Sequence, residues 1–128
     1  MTRSVEFRRV VHMGAAFFTA VLLAGVSACG QTGDVVEIDD DDIGGVVRGP
    51  AGPEAGVWVI AETTDLPTTF NKIVVTDDQG RYLIPDLPEA TYDVWVRGYG
   101  LVDSRRVRVS PGSSQDLTAV VAPDPHAA

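Results

Sequence analysis

Between Ile43 and Ala122 the chain is cut into seven short runs rich in Val, Ile, Tyr and Trp, and this alternation of run and turn limits the fold most. The runs are Ile43 to Gly49, Gly56 to Glu62, Lys72 to Thr76, Arg81 to Ile84, Thr91 to Gly98, Arg105 to Ser110 and Gln115 to Ala122. Pro50-Ala51-Gly52-Pro53, Asp77-Asp78-Gln79-Gly80, Pro85 to Glu89 and Pro111-Gly112-Ser113-Ser114 separate them. Short strands punctuated by Gly, Pro, Asn and Asp belong to an all-β sandwich or barrel. No helical 3.6-residue repeat occurs outside the first 28 residues. The β region is only about 80 residues long and its core is expected to be small.

Residues 1–28 read as an export signal. Arg3, Arg8 and Arg9 precede a greasy stretch around Ala15 to Ala24, and small residues follow it. A basic start, an apolar middle and a small-residue end are what the secretory machinery recognises. Val10 to Ala28 would also be long enough to cross a bilayer. Gly14, Gly25, Ser27 and five alanines dilute it, however, and no basic stop-transfer cluster follows. Arg8-Arg9 matches a twin-arginine signal only in the pair itself.

The stretch Val26-Ser27-Ala28-Cys29 resembles a bacterial lipobox, an aliphatic residue and two small ones before the cysteine that is lipidated. Small side chains admit the extended backbone to a peptidase, and a thiol is the nucleophile that accepts a diacylglyceryl group. Each buried methylene contributes about 0.8 kcal/mol, so several acyl chains on one residue make a stable anchor. Plain cleavage after Ala28 would instead leave a free thiol in an oxidising compartment, a reactive liability. The resemblance implies attachment of Cys29 to a membrane of the bacterial cell envelope. Gly30, where an Asp would favour retention, implies the periplasmic side of the outer membrane rather than the inner membrane.

Of the chain's 10 basic and 18 acidic groups, residues 1–28 hold three and one, so seven and 17 remain beyond the signal. That balance disfavours nucleic acid and anionic membrane surfaces as partners. Residues 29–42 end in Glu37 and Asp39 to Asp42 and are expected to form a disordered acidic tether. Four consecutive aspartates lack the alternating spacing and turn glycine of a Ca²⁺ loop, so no metal site is expected.

Gly45-Val46-Val47, Gly56-Val57-Trp58-Val59, Thr76 to Ile84, Leu87-Pro88 and Tyr92-Asp93-Val94-Trp95-Val96 together resemble a carboxypeptidase regulatory-like module. The resemblance covers 43–122 and implies a seven-stranded transthyretin-like (prealbumin-like) β-sandwich with a carbohydrate-binding-like fold. Asp77 is expected to close a turn onto following amides, and Gly80 to supply the positive φ that enters the next strand. Ala90 stands where the family usually has Gly, so that turn is expected to differ or to be strained.

Candidate chemistry is sparse. Beyond the signal the only histidine is His126, near the end, and there is no haem motif, metal-ligand spacing, nucleophile elbow or phosphate loop. The expectation is a non-catalytic module without cofactor or metal. In carboxypeptidases the similar module lies beside a separate zinc peptidase domain.

Alternation assigns Val57, Val59, Ala61, Tyr92, Val94 and Val96 to the core, and Trp58, Ile60, Glu62, Asp93, Trp95 and Arg97 to the opposite face. Either the loop Thr63 to Asn71 folds over the two tryptophans, or they stay open as a patch. An open patch of Trp58, Ile60 and Trp95, with Tyr99 nearby, would dock a protein or a further domain, or stack on sugar rings as a carbohydrate-binding module. Ile60 beside the tryptophans favours protein contact. The tail 123–128 reads as a disordered linker, in line with modules of this family that lead into longer exported proteins.

Overall fold

The computed structural model describes residues 35–128. The expected export signal, with Val26, Ser27, Ala28 and Cys29, lies outside the described residues. Within them the chain is all β, with eleven strands: β1 Ile43–Gly49, β2 Gly52–Pro53, β3 Trp58–Thr63, β4 Phe70–Val75, β5 Arg81–Ile84, β6 Tyr92–Arg97, β7 Leu101–Val102, β8 Val107–Val109, β9 Ser113–Ser114, β10 Leu117–Thr118 and β11 Val120–Val121. Six of the seven expected runs each overlap one of these, and the last, 115–122, overlaps both β10 and β11. The additional strands are two-residue ladders, too short to show an alternation.

Three sheets form. One is antiparallel in the order β4-β3-β6-β8. A second is built on β1, which pairs antiparallel with β5 and β2 along one side and parallel with β9 and β10 along the other. The third is the ribbon β7–β11. The last expected run, 115–122, is split between two sheets: β10 joins β1, buried Ala119 turns the chain, and β11 joins β7.

A single apolar cluster joins the two larger sheets. Ile43, Val47, Tyr82, Ile84 and Leu117 come from the β1 sheet, and Val59, Ala61, Tyr92, Val94, Val96 and Val109 from the β3 sheet. Val59, Val94 and Val96 are wholly excluded from solvent, each contributing about 1.5–3 kcal/mol by burial. Phe70 closes one end, its ring edge-on to Tyr92 at 6.2 Å. The Tyr92 hydroxyl donates to the Pro88 carbonyl at 2.7 Å, fixing the turn that leads into its own strand.

Gly45 lets β1 approach the neighbouring backbone closely. A Cβ there would lie 2.1 Å from the Gln115 carbonyl oxygen, in the two-residue gap between the β9 and β10 ladders. In that gap the Val46 N–H is accepted by the Asp116 carboxylate at 3.0 Å in place of a backbone carbonyl.

Lys72 is an edge-strand residue that points inward, opposite Ala61. Its ammonium donates to the Pro85 carbonyl beyond β5, bridging the two sheets. An inward charge on an edge strand resists pairing with another chain.

The structure corrects the expected tether boundary. Asp42 is 7% exposed; its carboxylate accepts the Asp39 and Asp86 N–H groups, while the Asp41 and Asp42 carbonyls accept from Leu87 and Gly112. These backbone donors make a buried carboxylate tolerable, so the aspartate run is partly built into the fold. Val36 and Ile38 pack over Gly44, where an added Cβ would come within 2.7 Å of Ile38 Cγ2. Ala90 is not strained: the one non-glycine residue at positive φ among the described residues is Asp86, at 53°. In the tail, the Asp124 carboxylate accepts the N–H groups of His126 and Ala127, which closes a turn in the segment expected to be a linker.

Candidate functional surface

Pairing sets the outer face of the β4-β3-β6-β8 sheet in rows. Val75, Trp58 and Arg97 lie side by side, then Ile73, Ile60 and Trp95, then Asn71, Glu62 and Asp93. Asp93 in turn faces Arg108.

Trp58 is half exposed and Tyr99 wholly so, whereas Ile60 is 5% and Trp95 4% exposed. Ile60 and Trp95 are therefore not the open patch expected of them. The cover over Trp95 is Arg106, whose guanidinium carbon stands 3.7 Å from the ring centroid. Glu62 pairs with the same guanidinium at 3.5 Å. A cation on an indole face is an electrostatic contact that also excludes water. The loop suggested as a cover stays largely exposed: Thr64, Asp65, Pro67, Thr68 and Thr69 all face solvent. The Trp95 Nε1 is buried with no hydrogen-bond acceptor.

Two residues not singled out in the sequence take the place of Ile60 and Trp95. Ile73 and Val75 are 53% and 56% exposed, directly opposite Ile60 and Trp58. The signal was present, because Lys72 to Thr76 alternates, but its outward residues emerge only once β4 is in register with β3. Trp58, Val75 and Ile73 form a contiguous apolar corner at the edge of the sheet.

Around the end of β6 lies a groove of about 1170 Å³, lined by Trp58, Arg97, Tyr99, Leu101, Asp103 and Pro123 among others. Arg97 and Asp103 pair through two bonds, Nε to Oδ1 at 2.7 Å and Nη2 to Oδ2 at 2.6 Å. The hydrogen bond from Arg97 holds the Asp103 carboxyl below its usual range, against a desolvation that acts to raise it. The same bond raises the Arg97 pKa.

A second depression, of about 1060 Å³, gathers Asp39, Asp40, Asp41, Asp65 and Glu89. Among the described residues no three His, Cys, Asp or Glu side chains are placed to hold a metal ion.

The turn between β4 and β5 is organised by Asp77. Its carboxylate accepts the N–H groups of Gln79 and Arg81, both at 2.9 Å, and Arg81 Nε at 2.7 Å. Desolvation acts to raise its pKa, and the Arg81 and Gln79 donors outweigh it, leaving the carboxyl below its ordinary value. Gly80 completes the turn at φ 75°.

No family model matches the chain, and no curated protein matches it.

Proposed function

We propose that this chain is a non-catalytic, exported β-sandwich of the transthyretin-like, carboxypeptidase regulatory-like type, anchored in the bacterial envelope by lipid on Cys29, and that it works by docking a protein. The apolar core shared between two sheets and the Tyr92–Pro88 corner support the sandwich, since a tyrosine hydroxyl closing a corner recurs in such folds.

The observation that carries docking is the contiguity of Trp58, Val75 and Ile73, three half-exposed residues on adjacent strands. Large apolar side chains gathered at one exposed corner mark contact surfaces. The partner's chemistry follows from charge. With seven basic and 17 acidic groups beyond the signal, this protein attracts a basic surface, and the apolar corner requires an apolar projection within it.

A photo-crosslinking residue at position 73, introduced in living cells, tests the proposal. A discrete adduct is expected at 73 and not at 83, because Leu83 is exposed on the other sheet. Equal yields from both positions, or none from either, would refute docking through this corner.

A further inference from the structure

The groove shares Trp58 with the apolar corner but is otherwise built by different residues, Arg97, Tyr99, Leu101, Asp103 and Pro123 among them, and neither Val75 nor Ile73 lines it. We infer that it is a binding site for an uncharged oligosaccharide, with Trp58 and Tyr99 as stacking platforms and the Arg97–Asp103 pair as the polar contact for hydroxyl groups.

Tyr99 is the first indication. It is wholly exposed on the turn Gly98-Tyr99-Gly100, where Gly100 has φ 73°, and it lines the groove together with Trp58. An aromatic ring that packs on nothing contributes nothing to the core, yet its flat apolar face and polar tip suit a sugar ring. Arg97 and Asp103 are the second. Both side chains are about half exposed, at 51% and 46%, and their mutual hydrogen bonds hold donors and acceptors in a fixed plane. Neighbouring hydroxyls on a sugar both donate and accept, so one pair can meet both needs. The volume, about 1170 Å³, exceeds that of ordinary small-ligand sites, roughly 300–1,000 Å³, and leaves room for several sugar rings.

Charge and hydrogen-bonding capacity narrow the class. Asp103 and Asp124 line the groove against the single cation Arg97, which disfavours an anionic glycan such as a polyuronate. Proline-rich peptides also occupy aromatic-lined grooves. Their prolines offer carbonyl acceptors and no N–H, so they cannot use the acceptor capacity that the Asp103 and Asp124 carboxylates keep beyond their bonds to Arg97 and to the His126 and Ala127 amides. Sugar hydroxyls supply donors for those remaining lone pairs.

The full chain in detergent, labelled with ¹⁵N, carries two tryptophans and hence two indole N–H resonances, which report on the groove and on the buried face separately. Cellohexaose, maltohexaose, mannohexaose and N-acetylchitohexaose are titrated in turn, with polygalacturonate and poly-L-proline as contrasts. At least one neutral hexasaccharide is expected to shift the Trp58 indole and leave Trp95 in place. Tyr99→Ala should weaken that binding roughly three- to tenfold, the scale of one lost aromatic contact, and Ile73→Asp should not affect it. Ile73 belongs to the docking corner alone, so the two proposals can fail independently. Four neutral sugars without effect, binding confined to polygalacturonate or poly-L-proline, or affinity unchanged by Tyr99→Ala would each overturn the assignment.

Discussion

Replacing Gly80 by alanine should cost the domain about 2–5 kcal/mol, and the structure separates this into two parts. At φ 75°, an L-residue loses about 1–2 kcal/mol to the left-handed conformation. The second part is contact. The new Cβ would stand 2.7 Å from the Val47 carbonyl oxygen and 3.0 Å from both the Glu54 nitrogen and the Pro53 Cβ. Those atoms are held: Val47 N–H donates to Gly80 O at 2.8 Å, and Glu54 N–H to Val47 O at 2.9 Å. Relieving the overlap stretches both bonds, each contributing about 0.5–1.5 kcal/mol. Gly100 is the internal control, with φ 73° and nothing within 4 Å of an added Cβ, so Gly100→Ala should show the conformational part alone. Urea denaturation of the two variants beside the parent measures the difference. Equal shifts in midpoint would refute the contact part, and no shift at Gly80 would refute the whole argument; Gly80→Val adds β-branching and should be worse than alanine.

Trp95→Ala should destabilise the domain by roughly 3–5 kcal/mol, as expected for deleting a buried aromatic, while Trp58→Ala should lower the melting temperature little; similar losses in thermal melts would contradict the split in burial. Asp77 and Asp103 both have lowered carboxyl pKa values, so their stabilisation is fully present above the unfolded value of 3.8 and is lost as pH falls through the lower folded values. Urea midpoints measured from pH 6 to pH 2 should therefore fall below about pH 4, less steeply in Asp77→Asn and in high salt, because both ion pairs are largely exposed; a parallel decline in Asp77→Asn would exclude that residue as a contributor. Intact-mass measurement of membrane-extracted protein should find a chain that begins at Cys29 and carries acyl groups, and an unmodified Cys29 would refute the anchor.

How much of this was legible in the sequence varied with the range of the interaction. The bounds of β1 and β5 coincide with their sequence runs because dense alternation and adjacent turn residues are local signals. The β2, β7 and β9 ladders are two residues each, and they exist because neighbouring segments already lie alongside. Asp42 was hidden for a related reason. Four like charges in a row read as a solvated run, and only the fold brings the Asp39 and Asp86 amides to bear on one of them. The tryptophans show the sharpest limit. Period two assigns Trp58 and Trp95 to one face, but nothing local distinguishes their burial. Val94 pairs with Val107, so the preceding Arg106 is carried over Trp95, and the difference arises from that register.

The same register explains why the outer face can serve as a contact surface on so acidic a protein. Arg97 is neutralised by Asp103, Arg106 by Glu62, and Arg108 faces Asp93. This face therefore carries no net charge from those six groups, and the excess of acid lies elsewhere. A partner of the proposed kind would meet the field of the distant carboxylates as steering, and at contact balanced pairs beside Trp58, Val75 and Ile73. Burying those three side chains desolvates no unpaired charge. Arg106 thus has two consequences, holding Trp95 inside the fold and cancelling Glu62 at the border of the apolar corner, and both depend on its position one residue before β8.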